Sequence, residues 1–507
     1  MQKTDVTENR FLGVVWFLFV LLLIFNMLNH EMWRDELDSW LVTRDNDLSG
    51  IMNYLPYSGH PALWYLSVEL IQIFTDHPMG MQIINLLFVA MAVLILLKWA
   101  PFSKLEKILL TFSYYFLYEY GTLCRNYGLS LLLLIAFLSL YRVKDKYYIL
   151  MGLILALLAN VHVLSMLLSV LLGAYWLCEE WTNRRRQNNS LISSLPKLSA
   201  FAIISLGILV FYLHAMPSAE FSHNPAKNVA VNLAAIGNAF SLIYKSFVPI
   251  PKAVFHFWNS QILPGFAHLP LALALFILTT LGFMKRPLRA AFYALGMAGY
   301  MLFFIFIYPG FLRHHGFIFF VFFSFYWISR IDNVHGSLES LDENLAGRLQ
   351  RIQMKLFTFV CAAQLVAGIM ASYQDWRHPF SANREVVRYL QTAGLDKDII
   401  VGDLDFIASP VSAWLHNKIY YPMSSDYGSY IEWSAKRQNI NFYDQAEVNA
   451  YVRFVVESAF KLCDETQRDV TLLLSYALDQ APLAAFTESI CGDEVYYLYR
   501  IKYTGPR

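Results

Sequence analysis

The segment Glu31-Met-Trp-Arg-Asp-Glu-Leu-Asp-Ser-Trp40 packs five ionisable side chains into ten residues, directly after an apolar run long enough to span a membrane. Asp35 and Glu36 are adjacent. Read as a short helix, the segment puts Asp35 and Asp38 on one side, a turn apart. Carboxylates at a bilayer boundary can act as a general base, ligate a metal or form ion pairs. The plainer reading is a solvated helix face on which Arg34 neutralises Asp38 across four positions.

Other polar segments interrupt the apolar chain. Tyr57-Ser-Gly-His-Pro-Ala-Leu-Trp-Tyr65 joins His60 to Trp64 and Tyr65, with Pro61 suited to a helix start. His60 could ligate a metal, hold a sugar or cap that helix. Glu119-Tyr-Gly-Thr-Leu-Cys-Arg-Asn-Tyr127 offers Glu119, Arg125 and Tyr127 at a tight turn. An arginine there is a natural phosphate ligand, because its fork stays charged and pairs with oxygens; snorkelling to lipid headgroups is the alternative. Tyr308-Pro-Gly-Phe-Leu-Arg-His-His-Gly316 sets Arg313, His314 and His315 in a row. So close to hydrocarbon, an anionic partner explains them better than solvation does, with lipid phosphate as the plainer partner. The stretch 216–266 adds His223, Lys227, Lys245, Lys252, His256, Tyr244, Phe255, Phe257 and Trp258, a composition that fits a cover over a lipid or sugar.

The elements that must position these groups are apolar runs near residues 11–29, 79–98, 108–120, 127–141, 147–161, 163–178, 198–215, 267–284, 290–308, 316–329 and 356–373. The 507 residues are 57% hydrophobic and 15% charged, with a mean hydropathy of +0.42. This predicts a polytopic α-helical membrane protein of about eleven spans. The first run is too long for a signal-peptide core and lacks a small-x-small cleavage site, so it reads as uncleaved. A net charge of +1 gives no case for a nucleic-acid partner. The segment Pro61 to Phe74 reads as a helix lying along the membrane surface.

Basic residues fall in alternate connections: Lys98, Lys104 and Lys107; Arg142, Lys144 and Lys146; Arg184, Arg185 and Arg186; Lys285, Arg286 and Arg289; Arg330, Arg348, Arg351 and Lys355. The positive-inside rule places these, and the N-terminus, in the cytoplasm. Loops 30–78 and 216–266, turns 121–126 and 309–315, and everything after 373 then lie outside, on the periplasmic side of a bacterial inner membrane. Residues 1–373 form the membrane module. From about Gln374 the charge density of a soluble domain returns. Residues 398–405 (DIIVGDLD), 471–475 and 495–500 read as strands and 408–415 as a helix, giving an α/β domain over 374–507. Cys463 and Cys491 in this domain are a candidate disulfide, with separate thiols as the equal alternative.

The acidic pair Asp35-Glu36, the segment His60-Pro-Ala-Leu-Trp-Tyr65 and Arg125-Asn-Tyr127 occur in an order that resembles the GT-C membrane glycosyltransferases, which include protein O-mannosyltransferases and lipid A aminoarabinose transferases. The family's second proline is Ala62 here, and Arg313-His314-His315 matches no general family motif. The resemblance implies an inverting transfer of a sugar from a polyprenyl-phosphate donor to a hydroxyl acceptor on a glycan, lipid or protein. Asp35 would be the general base and Glu36 would position the acceptor or a metal. Arg125 and Arg313, with His314 or Lys245, would steady the departing phosphate. That phosphate leaves readily, so no cofactor is obligatory. A divalent Mg, Mn or Zn ion on Asp35, Glu36 and His60 is the alternative.

Two rival readings share this chemistry: a transporter or flippase for lipid-linked sugars, and a polysaccharide polymerase or ligase. Transporters place polar groups near the bilayer midplane and often have two related halves. Here the ionisable residues collect at one face, and no internal repeat is evident. A scaffold whose C-terminal domain binds a partner is a third reading.

Overall fold

The computed structural model describes residues 6–186, 195–215, 232–334, 345–432, 437, 440 and 444–505. The expected loop residues His223 and Lys227 lie outside them. The first span is α1 (Val6–Asn29). Near its start Phe11 lies under the Lys104 ammonium. Near its end Asn26 donates to Thr122 and Ser372. The lysine-rich connection and Glu31–Trp40 are thereby at opposite ends of α1.

After α1 come three short helices, α2 (Arg34–Asp45), α3 (Leu48–Ser58) and α4 (Ala62–Gln72). Asp35 and Glu36 stand in the first turn of α2, where the helix dipole favours negative charge. Asp47 caps α3 by accepting from the Gly50 N–H. Helix α4 buries Trp64, Tyr65 and Val68 and turns Leu66 and Leu70 outward, and Ile73 and Phe74 just beyond its end are exposed. That two-sided pattern suits a helix lying in an interface.

The bundle continues through α5 (Gly80–Trp99), α6 (Lys104–Thr111), a π-helix (Tyr114–Thr122), α7 (Tyr127–Leu140), α8 (Tyr148–Ala159), α9 (Val163–Arg186), α10 (Leu195–Ala215), α11 (Leu233–Phe247), α12 (Gly265–Gly282), α13 (Pro287–Phe306), α14 (Leu312–Val334) and α15 (Leu345–Arg377). Among the described residues, eight helices are long and apolar enough to cross a membrane. Three of the expected runs are helical but fall outside that set. Run 108–120 breaks after α6 into the π-helix, run 147–161 yields the 12-residue α8, and α14 carries Arg313 and Arg330 at its ends. Helix α14 is the bundle's axis: Phe317 through Ile328 is buried on every side. Helices α8 and α10 approach closely because Gly207 lies against Ala156, where a side chain would not fit.

The C-terminal domain starts with α16 (Asn383–Thr392) and then runs β1 (Ile399–Gly402), α17 (Asp405–Leu415), β2 (Ile419–Tyr421), β3 (Asp426–Gly428), α18 (Gln445–Thr466), β4 (Val470–Leu474), β5 (Ala484–Phe486) and β6 (Tyr496–Ile501). The sheet order is β3-β2-β1-β4-β6-β5. Strand β1 is parallel to β2 and β4, and the other pairs are antiparallel. The expected strands are β1, β4 and β6, and the expected helix lies within α17. The domain has its own core around Val401, Val411, Val455, Leu472 and Leu498.

This domain is hydrogen-bonded to the Glu31–Trp40 segment. Asn383 Nδ2 donates to the Met32 carbonyl at 2.8 Å, the Arg34 N–H to Glu494 at 2.7 Å, and the Phe380 N–H to Glu31 at 2.9 Å. Of the two alternatives for Cys463 and Cys491, the bridge is not formed. Cys463 Sγ is in the domain core facing the Ile501 carbonyl, whereas Cys491 Sγ lies 3.0 Å from Ser489 Oγ and packs against the helical core. The two thiols belong to different layers.

Candidate active site

Asp35 is the meeting point of three guanidinium groups. Arg125 Nη1, from the turn before α7, is 2.7 Å from its Oδ2. Arg313 Nη2, from the start of α14, donates to the same oxygen at 3.1 Å. Arg34 Nε lies 3.8 Å from Oδ1. Burial alone would push the Asp35 carboxyl up, but Arg125, Arg313 and Arg34 outweigh it and hold it below the usual aspartate value. Asp35 is therefore a fixed anion and a weaker base than an ordinary carboxylate.

Arg313 retains capacity for another anion. Arg125 Nη1 is taken up by Asp35, whereas Arg313 Nε is buried without a hydrogen-bond acceptor. An unmet guanidinium N–H in a buried position is costly unless something accepts from it. Arg313 is held flat by Trp33 at 5.2 Å, Trp258 at 5.3 Å and Phe311 at 4.7 Å. Its carbonyl accepts from Tyr120 Oη at 2.7 Å. Gly316 lets α14 lie against Tyr115 and Tyr120 of the π-helix, where a Cβ would collide with both rings.

Beside the arginines stand three imidazoles. The His60 and His162 rings are 5.5 Å apart, and the His162 and His314 rings 6.0 Å apart. Each Nδ1 is committed: His60 donates to the Ser58 carbonyl, His162 accepts from the Leu164 N–H, and His314 accepts from the Phe311 N–H. The tautomers follow. His162 and His314 carry their proton on Nε2, and His60 leaves Nε2 as an acceptor. Burial and the charge of Arg125 pull the His60 imidazole down to about 4, so it is neutral. Tyr127 packs on Tyr120 at 4.9 Å and edges His162 at 5.4 Å, with its buried hydroxyl unpartnered.

Arginines, imidazole N–H groups and a tyrosine hydroxyl surrounding one carboxylate can hold a phosphate group next to a reacting carbon. The structure of ArnT from Cupriavidus metallidurans bound to undecaprenyl phosphate matches 99% of both chains, with a TM-score of 0.52 and 13% identity. The chain has the GT-C fold. No family model matches the sequence, and no curated protein matches it at a significant level.

Within the GT-C fold, several expected site residues take other positions. Glu36 points away from Asp35. It accepts from His30 Nε2 at 3.0 Å, the Trp33 N–H at 3.1 Å and the Cys124 N–H at 2.5 Å. His30 Nδ1 in turn meets Asp375 at 2.8 Å. Glu36 thus ties the ends of α1 and α15 to the turn that carries Arg125. Asp35, Glu36 and His60 are not assembled as ligands, and no group of three His, Cys, Asp or Glu side chains able to hold a metal occurs among the described residues. Glu119 sits behind the pocket, accepting from Tyr114 Oη and from Trp258 Nε1, and so holds the ring over Arg313. His315 turns the other way, to the Pro309 carbonyl at 2.9 Å. Lys245, on α11, is a charge neighbour of His315 and forms no ion pair among the described residues. Trp64 is buried in the helical core, while Tyr65 packs against Tyr54 close to Asp38.

His162 and His30 escaped the sequence reading. His162 is the lone histidine at the break between two apolar runs, which the charge alternation puts on the Asp35 side. His30 and Asp375 each sit at the end of an apolar run, but nothing local links residues 345 positions apart.

Proposed function

We propose that this protein is an inverting glycosyltransferase that moves a sugar from a polyprenyl-phosphate donor to a hydroxyl acceptor at the membrane surface. The observation that carries the reading is Asp35 held between Arg125 and Arg313, with Arg313 Nε buried and still without an acceptor. The donor phosphate seats on that N–H and on the two guanidinium groups, with His162, His314 and Tyr127. The acceptor oxygen attacks the anomeric carbon from the opposite side, and a carboxylate of α2 takes its proton. The bond to phosphate breaks with its electron pair on the phosphate oxygen. Arginine and imidazole donors favour that growing charge, and one such donor is worth ~10²–10³-fold in rate.

The reading places this chemistry on the non-cytoplasmic face of the membrane. The contact of Lys104 with the start of α1 supports it, because the basic connections are then at the far ends of the helices from Asp35. Gathering of the ionisable groups at that one end also favours transfer over transport.

The test is binding of undecaprenyl phosphate to the purified full chain, with wild type compared with Arg313→Ala. Mass analysis of envelope glycoconjugates with and without the protein then follows. Saturable binding lost in the variant, and a sugar that depends on the protein, are the expected results. No lipid binding and no glycoconjugate difference would refute the reading.

A further inference from the structure

Asp38 stands one turn beyond Asp35, at the seam where α2, α3 and α4 meet the Ser429–Ile431 segment of the C-terminal domain. Its hydrogen bonds are long: Tyr54 Oη donates at 3.3 Å and the Ile431 N–H at 3.5 Å. A carboxylate offers about four acceptor positions, so two weak bonds leave it under-satisfied. No described residue forms an ion pair with it, whereas Asp35 has three arginine neighbours.

The surrounding wall is well anchored. Tyr54 makes edge contacts with Tyr65 at 6.2 Å and Tyr430 at 5.5 Å. Tyr430 Oη donates to Asn46 at 3.3 Å, and Ser429 Oγ donates to Asp45. Arg44 Nη1 reaches the Ser412 carbonyl at 3.2 Å. The C-terminal domain thus packs against the Asp38 side of α2.

The groups facing Asp38 are Asp35 on its own helix, Arg125, Tyr54, Tyr65, Tyr430 and the Ile431 N–H. Burial raises its carboxyl most. The Ile431 N–H and Arg125 pull back and the Asp35 charge pushes further, leaving it at about 7. Neighbouring carboxylates pushed apart in this way commonly divide roles, one as a fixed charge and one as the proton carrier.

Resting on the glycosyl-transfer reading, we propose that the acceptor hydroxyl is bound at the seam between α2 and the C-terminal domain and gives its proton to Asp38, while Asp35 remains the counter-ion of Arg125 and Arg313. The acceptor O–H bond breaks with the proton going to an Asp38 carboxylate oxygen. The acceptor oxygen bonds to the anomeric carbon, and the carbon–phosphate oxygen bond breaks with its pair on the phosphate.

The experiment uses membranes from cells with and without the full chain. The protein-dependent sugar is followed by mass spectrometry between about pH 5.5 and about pH 8.5, in parallel with undecaprenyl phosphate binding to purified protein. Expected are a wild-type rate that rises through about pH 7 and levels off, and a fall of ~10²-fold or more in Asp38→Asn. Asp38→Asn keeps lipid binding within about twofold, and Asp38→Glu regains part of the rate. A near-wild-type rate in Asp38→Asn, or loss of lipid binding with the rate, overturns the assignment while leaving the glycosyl-transfer reading standing. Absence of any protein-dependent sugar from wild type overturns both.

Discussion

Arg313 and Asp35 are 278 positions apart in the chain and 3.1 Å apart in the fold. Helix α14 brings the guanidinium from the bundle's axis to the first turn of α2. Trp33 and Trp258 cover the guanidinium, which is 6% exposed against 27% for Asp35, so the pair is stronger than a fully exposed surface ion pair. Arg125 joins from a third segment. Three separate segments of the chain therefore build one charged centre.

Arg125→Ala and Arg313→Ala should each weaken undecaprenyl phosphate binding ~10–100-fold, the range for a charged hydrogen bond of ~1.5–3 kcal/mol. Arg313→Lys should recover little of it, because an ammonium can neither lie flat between the tryptophans nor offer a fork. Titration of the lipid against purified variants checks this.

Asp35→Asn should bind undecaprenyl phosphate more tightly than wild type, by about threefold or more, while losing transfer. The substitution removes the anion that competes for both guanidinium groups. It also removes the charge that fixes their orientation, so turnover falls although affinity rises. Unchanged or weakened binding in this variant would place the phosphate elsewhere.

The Glu36–His30–Asp375 chain should govern stability rather than chemistry. Glu36→Ala leaves His30 and the Cys124 N–H short of a partner and should cost ~3–5 kcal/mol, read as a lower Tm in detergent. Burial lowers the His30 imidazole, but Asp375 and Glu36 outweigh it and raise it well above 6.5. The folded form therefore holds a proton that the unfolded form releases near 6.5. The stabilisation is complete below that pH and is lost as pH climbs through the raised folded value. Thermal melts of wild type and His30→Gln across this window should converge on the alkaline side.

Much of this was legible in the sequence. Apolar run length gave the bundle, and the return of charge after Gln374 gave the α/β domain, because both rest on local composition. Asp35 and Arg125 stood out by their order with His60, and Arg313 as a cation for which solvation alone was a poor reason so close to hydrocarbon. Partner choice was not legible. Glu36 and Asp35 are adjacent, yet a helix sends neighbours in different directions, and His30 captures Glu36 while the arginines take Asp35. Glu119 looked like a site residue because it is charged at a turn, but the π-helix turns it inward onto Tyr114 and Trp258. Cys463 and Cys491 share a domain without sharing a layer.

Transfer should survive removal of divalent ions. Asp35 is already neutralised by arginines and Glu36 by His30, so neither is poised as a ligand. Dialysis against a chelator should leave the rate within about twofold of the untreated protein. A larger loss, restored by Mg, Mn or Zn, would put a metal into the mechanism.

The most direct test of the central claim is an experimental structure of the full chain with undecaprenyl phosphate bound. The account predicts phosphate density within hydrogen-bonding distance of Arg125 and Arg313, bordered by His162 and His314, with Asp35 beside it. Phosphate density at the lysine-rich end of the bundle, or away from both arginines, would contradict it.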